Sequence, residues 1–204
     1  MSNCPVITIS RQYGSGGRQI GRALSELLSI PYYDNELITL AAEESGFSPE
    51  LFKNADKSAS NSLLFSLSMY GATSSGSYNM PLGDQVFVIQ SDIIKKVASQ
   101  GPCIIVGRCA DYTLRDKTNC LSVFLRAPLE VRIKHAIENY GLDPLKARDI
   151  INKTDKKRAV YYSHFTGDKW GNSENYHLTI DTSRVGIEET AKAIAAIATN
   201  MKFE

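Results

Sequence analysis

The sequence holds almost no excess charge of either sign. Twenty-three Lys and Arg stand against 22 Asp and Glu, a formal net charge of +1. A nucleic-acid scaffold or a polybasic membrane-surface protein needs a strong field of one sign, so both classes are disfavoured. No stretch reaches the roughly 18 apolar residues that a membrane span requires. The first ten residues, MSNCPVITIS, lack the basic lead and apolar run of a secretory signal, which points to a cytoplasmic protein. The four cysteines, at 4, 103, 109 and 120, form no CxxC pair and no zinc-type spacing with the three histidines at 135, 164 and 177, so neither a disulfide framework nor a structural zinc site is expected. Cys103 and Cys120 fall inside apolar runs and read as small buried hydrophobes. Internal repeats and domain-separating linkers are missing too, and residues 1–204 are expected to form a single domain.

What is present alternates. Residues 6–10, VITIS, read as a buried strand, followed by a loop with Gly14, Gly16 and Gly17. Ile20, Leu24, Leu27 and Leu28 then fall at offsets 0, 4, 7 and 8, one apolar face of a helix that Pro31 stops. Tyr32 and Tyr33 suggest a second strand, with Asp34 able to cap a helix through Leu37, Ile38 and Ala41. Residues 56–79 hold eight serines and read as an excursion containing one hydrophobic patch, LLFSLSM. Periodicity resumes over 86–97, strands are expected at 103–106, 121–125 and 176–180, and helices at 129–140, 143–165 and 187–197. Five strands alternating with helices, apolar on both faces, predict a three-layer α/β/α fold around a five-stranded parallel sheet.

In such a sheet ligands collect at the carboxyl ends of the strands, which makes residues 11–18 the first place to look for a site. A glycine-rich turn feeding a helix amino terminus aims several N–H groups and the positive end of the helix dipole at one point, an arrangement suited to phosphate. The standard phosphate loop reads GxxxxGK[ST]. Anchored on Gly16, that register puts Arg11 at the first glycine, Gly17 at the lysine and Arg18 one place beyond. Arg18 is the candidate for the missing cation, because guanidinium binds phosphate oxygens bidentately. An ordinary strand-to-helix turn and a solvated arginine are the competing readings.

The segments VITISRQYGSGGRQIGRAL, YYDNELI, IIVGRCADYTL, FLRAPLEVRIKHAI, TDKKRAVYY and LTIDTSRVGIEET together resemble the successive motifs of the cytidylate kinase-like family, a divergent branch of the nucleoside monophosphate kinases. The resemblance covers nearly the whole chain, and its SRQYGSGGR loop is the form this branch carries without the lysine. It implies a P-loop kinase fold with ATP and Mg²⁺ as cofactors and a nucleoside monophosphate, CMP or dCMP foremost, as acceptor. It also implies an acceptor-binding insertion, placed at 46–83, and a mobile arginine-bearing cap at 141–172. By the same resemblance Gly14, Ser15, Gly16, Gly17, Arg18 and Gln19 fall on the phosphate loop, and Asp34 lies near the acceptor and the metal. Arg108 falls on the arginine that holds the acceptor phosphate. The next family aspartate is Cys109 here, with Asp111 two places on as its substitute. Asp155 and Arg158 match the cap segment, Lys153 stands one place from an expected arginine, and Arg132 lies on the helix leading to it.

These assignments give Arg18, Asp34, Lys153 and Arg158 to catalysis, and Arg108, Asp34, Asp111 and Arg132 to the acceptor. The basic residues between 126 and 158 would then face a phosphate pair, although acids interleaved with them make a solvated helix face an alternative. The three histidines are expected to be structural or solvent-facing. Two rival functions remain beside nucleotide phosphorylation: a kinase of the same fold with another small acceptor, and a nucleotide-binding module without transfer. All three leave out nucleic-acid and membrane partners, and the sequence assigns no oligomeric state.

Overall fold

The computed structural model describes residues 4–34 and 81–201. The expected helix after Asp34, the serine-rich excursion and all but the end of the 46–83 insertion lie outside the described residues. Five parallel strands form one sheet in the order β2-β3-β1-β4-β5. They are β1 (Val6–Arg11), β2 (Tyr32–Tyr33), β3 (Ile104–Val106), β4 (Cys120–Arg126) and β5 (Leu178–Asp181). The helices are α1 (Gly17–Leu28), α2 (Leu82–Gln100), α3 (Ala110–Thr113), α4 (Leu129–Tyr140), α5 (Ala147–Thr166), α6 (Thr182–Val185) and α7 (Ile187–Asn200).

The side-chain alternation of the central strands divides the core into two layers. Ile7 and Ile9 of β1, with Val106, Leu121, Val123 and Leu125, pack under Ile20 and Leu24 of α1 and Ala191, Ile194 and Ala198 of α7. Val6 and Ile105 face the other way, against Val86, Ile93, Ile94 and Ala98 of α2. Leu24 is fully buried, and truncating such a residue to alanine costs about 2–5 kcal/mol. The three layers are those expected from the alternating pattern.

Local differences have local causes. The last strand begins at Leu178 rather than at 176, because Tyr176 packs its ring on Phe124, with centroids 5.0 Å apart, and the His177 ring accepts the Ser122 N–H at 2.9 Å. α5 starts at Ala147 rather than at 143, since Asp143 is spent in a turn, its carboxylate accepting the Leu145 N–H at 3.0 Å. The four-residue helices α3 and α6 are too short to carry a period.

β1 lies between β3 and β4, so the loops that leave the carboxyl ends of these three strands converge. That edge is where the sheet can hold a ligand.

Candidate active site

The loop after β1 is held from behind by the protein's own polar groups. Its Gln12 N–H donates to the Leu125 carbonyl at 2.9 Å, and the Gln12 side-chain oxygen accepts the Ala127 N–H at 3.1 Å. The Ser15 hydroxyl donates to the Gln12 carbonyl at 2.8 Å, and the Thr182 hydroxyl donates to the Ser15 carbonyl at 3.0 Å. The Tyr13 N–H donates to the Asp155 carboxylate at 2.7 Å. What the loop leaves for a ligand is the amino terminus of α1, where the first-turn N–H groups of Gly17, Arg18 and Gln19 have no acceptor inside the helix.

Two amides of the loop are turned inward. The amides of Tyr13 and Ser15 are used inside the protein, the latter by the Gln12 carbonyl at 3.3 Å, and the buried Ser15 side chain shapes the turn. Arg132 is likewise not at the surface of the site. Its side chain is only 8% exposed. It donates to the Ala127 carbonyl at 2.9 Å, to the Tyr13 carbonyl at 3.1 Å and to Asp155 at 2.5 Å. Its side-chain bonds tie the end of β4, the loop after β1 and α5 together, the arrangement of a brace.

Two hollows open along the strand ends. One, of about 440 Å³, runs along the loop and is walled by Gln12, Tyr13, Gly14, Gly17, Asn139 and Tyr140. The other, of about 410 Å³, lies over β3 and α5 and is lined by Arg108, Cys109, Thr154, Lys157, Tyr161, Tyr162 and Trp170 among others. Arg11, Arg18 and Arg158 line both. The hollows therefore meet at three guanidinium groups.

Each basic group has its own support. Arg158 donates to the Arg11 carbonyl at 2.9 Å, lies 3.9 Å from Asp155, and sits 5.5 Å from the centre of the Tyr13 ring. Arg18 stands 4.0 Å from Asp34, which is buried. Arg108 is aimed by an unusual stretch of backbone: Gly107, Arg108 and Cys109 take φ values of 85°, 57° and 52° in succession. Left-handed conformation costs a non-glycine residue on the order of 1 kcal/mol or more, and such strain is found where a site needs it. Burial, followed by the neighbouring Arg158, Arg108 and Arg18, pushes the Arg11 guanidinium down to about 9. Burial also lowers Arg158, against the pull of Asp155. The junction gathers positive charge from Arg11, Arg18 and Arg158.

Helical periodicity sorts the cap residues. Thr154, Lys157, Arg158 and Tyr161 share the face of α5 that lines the second hollow, at offsets 0, 3, 4 and 7. Lys153 stands one turn before Lys157 and is exposed to solvent, and it is Lys157 that lines the hollow. Asp111 is buried behind the second hollow, accepting from Ser10 at 3.2 Å and from the Tyr162 hydroxyl at 2.8 Å, and burial raises its pKa. Ser10 and Tyr162, which line the second hollow, stand between its side chain and that space. Gln19 presents its backbone at the helix terminus, while its side chain pairs with His135 at 2.7 Å. Arg11 and Trp170 line the hollows without having been given a role from the sequence, whereas Asp155 was matched to the cap and Lys157 counted among its basic residues; for Arg11 the signal lay in its place at the loop's first glycine.

Among the described residues no group of three His, Cys, Asp or Glu side chains could hold a metal ion, and no helix is long and apolar enough to cross a membrane. A magnesium ion travelling with a nucleotide keeps most of its ligands as water and phosphate and asks the protein for one or two carboxylates. The buried carboxylate of Asp34, next to Arg18, fits that modest demand.

The profile of the cytidylate kinase-like family matches residues 6–184. A cytidylate kinase from Methanopyrus kandleri is 25% identical over 200 residues, which cover 94% of this chain and 91% of that protein. The crystal structure of an uncharacterized protein from Eubacterium ventriosum aligns with a TM-score of 0.74 at 25% identity, covering 97% of this chain and 99% of that one. A shikimate kinase from Acinetobacter baumannii, 16% identical, shares the fold with a TM-score of 0.52 over 98% of this chain and 97% of its own. With its parallel sheet, its glycine loop and its paired hollows, the chain belongs to the cytidylate kinase-like family and has the three-layer α/β/α P-loop kinase fold of a phosphotransferase.

Proposed function

We propose that this protein transfers the γ-phosphoryl group of ATP to the phosphate of a nucleoside monophosphate, with CMP or dCMP the leading acceptor. The observation that carries the reading is the meeting of two hollows at Arg11, Arg18 and Arg158. Phosphoryl transfer asks a protein to align donor and acceptor, exclude water and neutralise charge on the passing group, with little covalent chemistry of its own. A donor in the loop hollow and an acceptor in the second would bring their phosphates together at these arginines.

The roles follow from position. The α1 terminus, entered through Gly14 and Gly16, takes the donor phosphates, with Arg18 beside them. Arg108 and Lys157 hold the acceptor phosphate, and Arg158 closes on the migrating group from α5, the carrier of the proposed cap. Tyr13 and Tyr140, in edge-to-face contact with ring centres 5.6 Å apart, wall the donor side, and Trp170 and Tyr161 offer aromatic surface to an acceptor ring. Asp34 would hold Mg²⁺, and the metal would supply charge neutralisation to the donor phosphates.

A different small acceptor is the second reading. It is favoured by Asp111, which is committed to Ser10 and Tyr162, and by Cys109 in the family's aspartate position. ADP release measured with ATP, Mg²⁺ and each common nucleoside monophosphate separates these readings. Turnover with CMP or dCMP above all others is expected. Turnover confined to a non-nucleotide acceptor, or ATP-dependent thermal stabilisation without any turnover, overturns the proposal.

A further inference from the structure

Arg11 occupies the loop position that carries the first glycine of a standard phosphate loop, and Gly17 the position that carries its lysine. In space the two positions are in contact. A Cβ built on Gly17 would lie 2.7 Å from Cγ of Arg11 and 3.0 Å from its Cβ. The arginine stem therefore fills the volume through which a lysine at 17 would begin. Further out, a Cβ on Gly107 would lie 2.2 Å from Nη1 of Arg11. The side chain is threaded between two glycines, one on the donor loop and one at the end of β3.

Its head lines both hollows. Among the described residues, no carboxylate or carbonyl accepts a hydrogen bond from it. Burial and the neighbouring Arg158, Arg108 and Arg18 disfavour its cationic form, while Tyr32 is the neighbour that favours it. A guanidinium held among like charges without an acid partner is a group whose counter-charge arrives with a ligand.

We propose that Arg11 is the phosphate-binding cation that replaces the loop lysine, contacting the transferring phosphoryl group between donor and acceptor, and that Gly17 and Gly107 are glycine because its side chain passes between them. Arg18, with its side chain half exposed and 4.0 Å from Asp34, is then an outer clamp. The inference rests on the reading of this loop as a nucleotide cradle, and it assigns the central cation to a residue on β1 instead of one on α1.

The exchange of positions suggests its own test. Arg11→Met keeps the stem between the glycines and removes the charge; Arg11→Gly removes both; Gly17→Lys adds the standard lysine; Arg11→Gly/Gly17→Lys restores the standard order. Two readouts are measured on the full chain: the ATP-dependent rise in Tm, and ADP release with the best acceptor of the wild type. A ligand at 100 times its Kd raises the Tm of a domain this size by ~5–11 °C. Arg11→Met and Arg11→Gly are expected to lose most of that rise and about 10²–10³ in turnover, while the ligand-free Tm of Arg11→Met does not fall. Gly17→Lys alone is expected to lower the ligand-free Tm, because two stems compete for one volume. The double variant is expected to regain the ATP-dependent rise and at least about tenfold in turnover over Arg11→Gly.

Near-wild-type ATP response and turnover in Arg11→Met would overturn the proposal, since packing alone would then explain the residue. A double variant no better than Arg11→Gly would also overturn it. Wild-type protein that binds ATP without turning over any acceptor removes the transfer reading but leaves Arg11 tested by the Tm arm. Wild-type protein that neither binds nor turns over removes both.

Discussion

Asp155 joins three parts of the site, and removing it should show how strongly they depend on one another. Its carboxylate accepts the Tyr13 N–H at 2.7 Å and pairs with Arg132 at 2.5 Å, with side-chain exposures of 16% for the acid and 8% for the arginine. Solvent screens such a pair little. Asp155→Ala leaves a buried guanidinium with two carbonyls and no counter-charge, a loss on the order of 3–5 kcal/mol for buried pairs broken from one side. The charge-assisted bond to Tyr13, about 1.5–3 kcal/mol by itself, belongs to the same network and is not simply added. For a chain of 204 residues, a loss of that size lowers Tm by ~6–20 °C. Asp155→Asn keeps an acceptor for the Tyr13 N–H and should fall between wild type and alanine. Thermal and urea unfolding of Asp155→Ala, Arg132→Met and the double variant would give the coupling, expected at 2 kcal/mol or more in the direction that the second substitution costs less than the first. A single-variant loss below about 1 kcal/mol, or strictly additive substitutions, would refute the idea that this ion pair anchors the loop to α5.

Other perturbations reach other parts of the structure. Gly14→Ala places a Cβ 2.6 Å from the Arg132 carbonyl at a φ of 83°; backbone cannot yield as a side-chain tip can, so calorimetry should show a loss of about 2–4 kcal/mol. Arg158→Ala should lower kcat by on the order of 10³ with a much smaller change in ATP affinity, and equal losses in single-turnover and binding measurements would remove it from the migrating phosphoryl group. Asp111 has its folded-state pKa raised by burial above the unfolded 3.8. The folded state thus holds this proton more tightly, so its contribution is full below pH 3.8 and declines as pH rises through the folded value. Asp111→Asn, compared with wild type by unfolding at pH 4 and pH 7, should therefore look relatively more stable at the higher pH; the opposite trend would mean that Tyr162 and Ser10 outweigh desolvation.

The layering of the core was legible because it depends on periodicity. Val6 to Ser10 alternate between the α1/α7 face and the α2 face, and the offsets of Ile20, Leu24 and Leu28 already marked one side of α1. The place of Arg108 beside the second hollow follows from its position just past a buried strand. Lys153 and Arg132 show where reading by motif falls short. Position in a segment does not say which residues of a helix reach a hollow: Lys153 and Lys157 stand one turn apart on nearly the same side of α5, yet Lys153 is exposed and Lys157 lines the second hollow. Arg132 has the residue type of a phosphate ligand, yet the acid that uses it, Asp155, is 23 residues away, a pairing set by how α4 and α5 pack.

Local chemistry thus determined the strands, the helices, the glycine turn and the family to which the chain belongs, because each depends on neighbours within a few positions or on the order of motifs. Which cation stands at the centre of the site was decided only in three dimensions. Arg11 ends β1 and looks, in the sequence, like one more strand residue before a turn. The parallel pairing of β1 with β3 brings Gly107 against its head, the turn over residues 12–16 brings Gly17 against its stem, and the side chain passes between those two glycines beside both hollows.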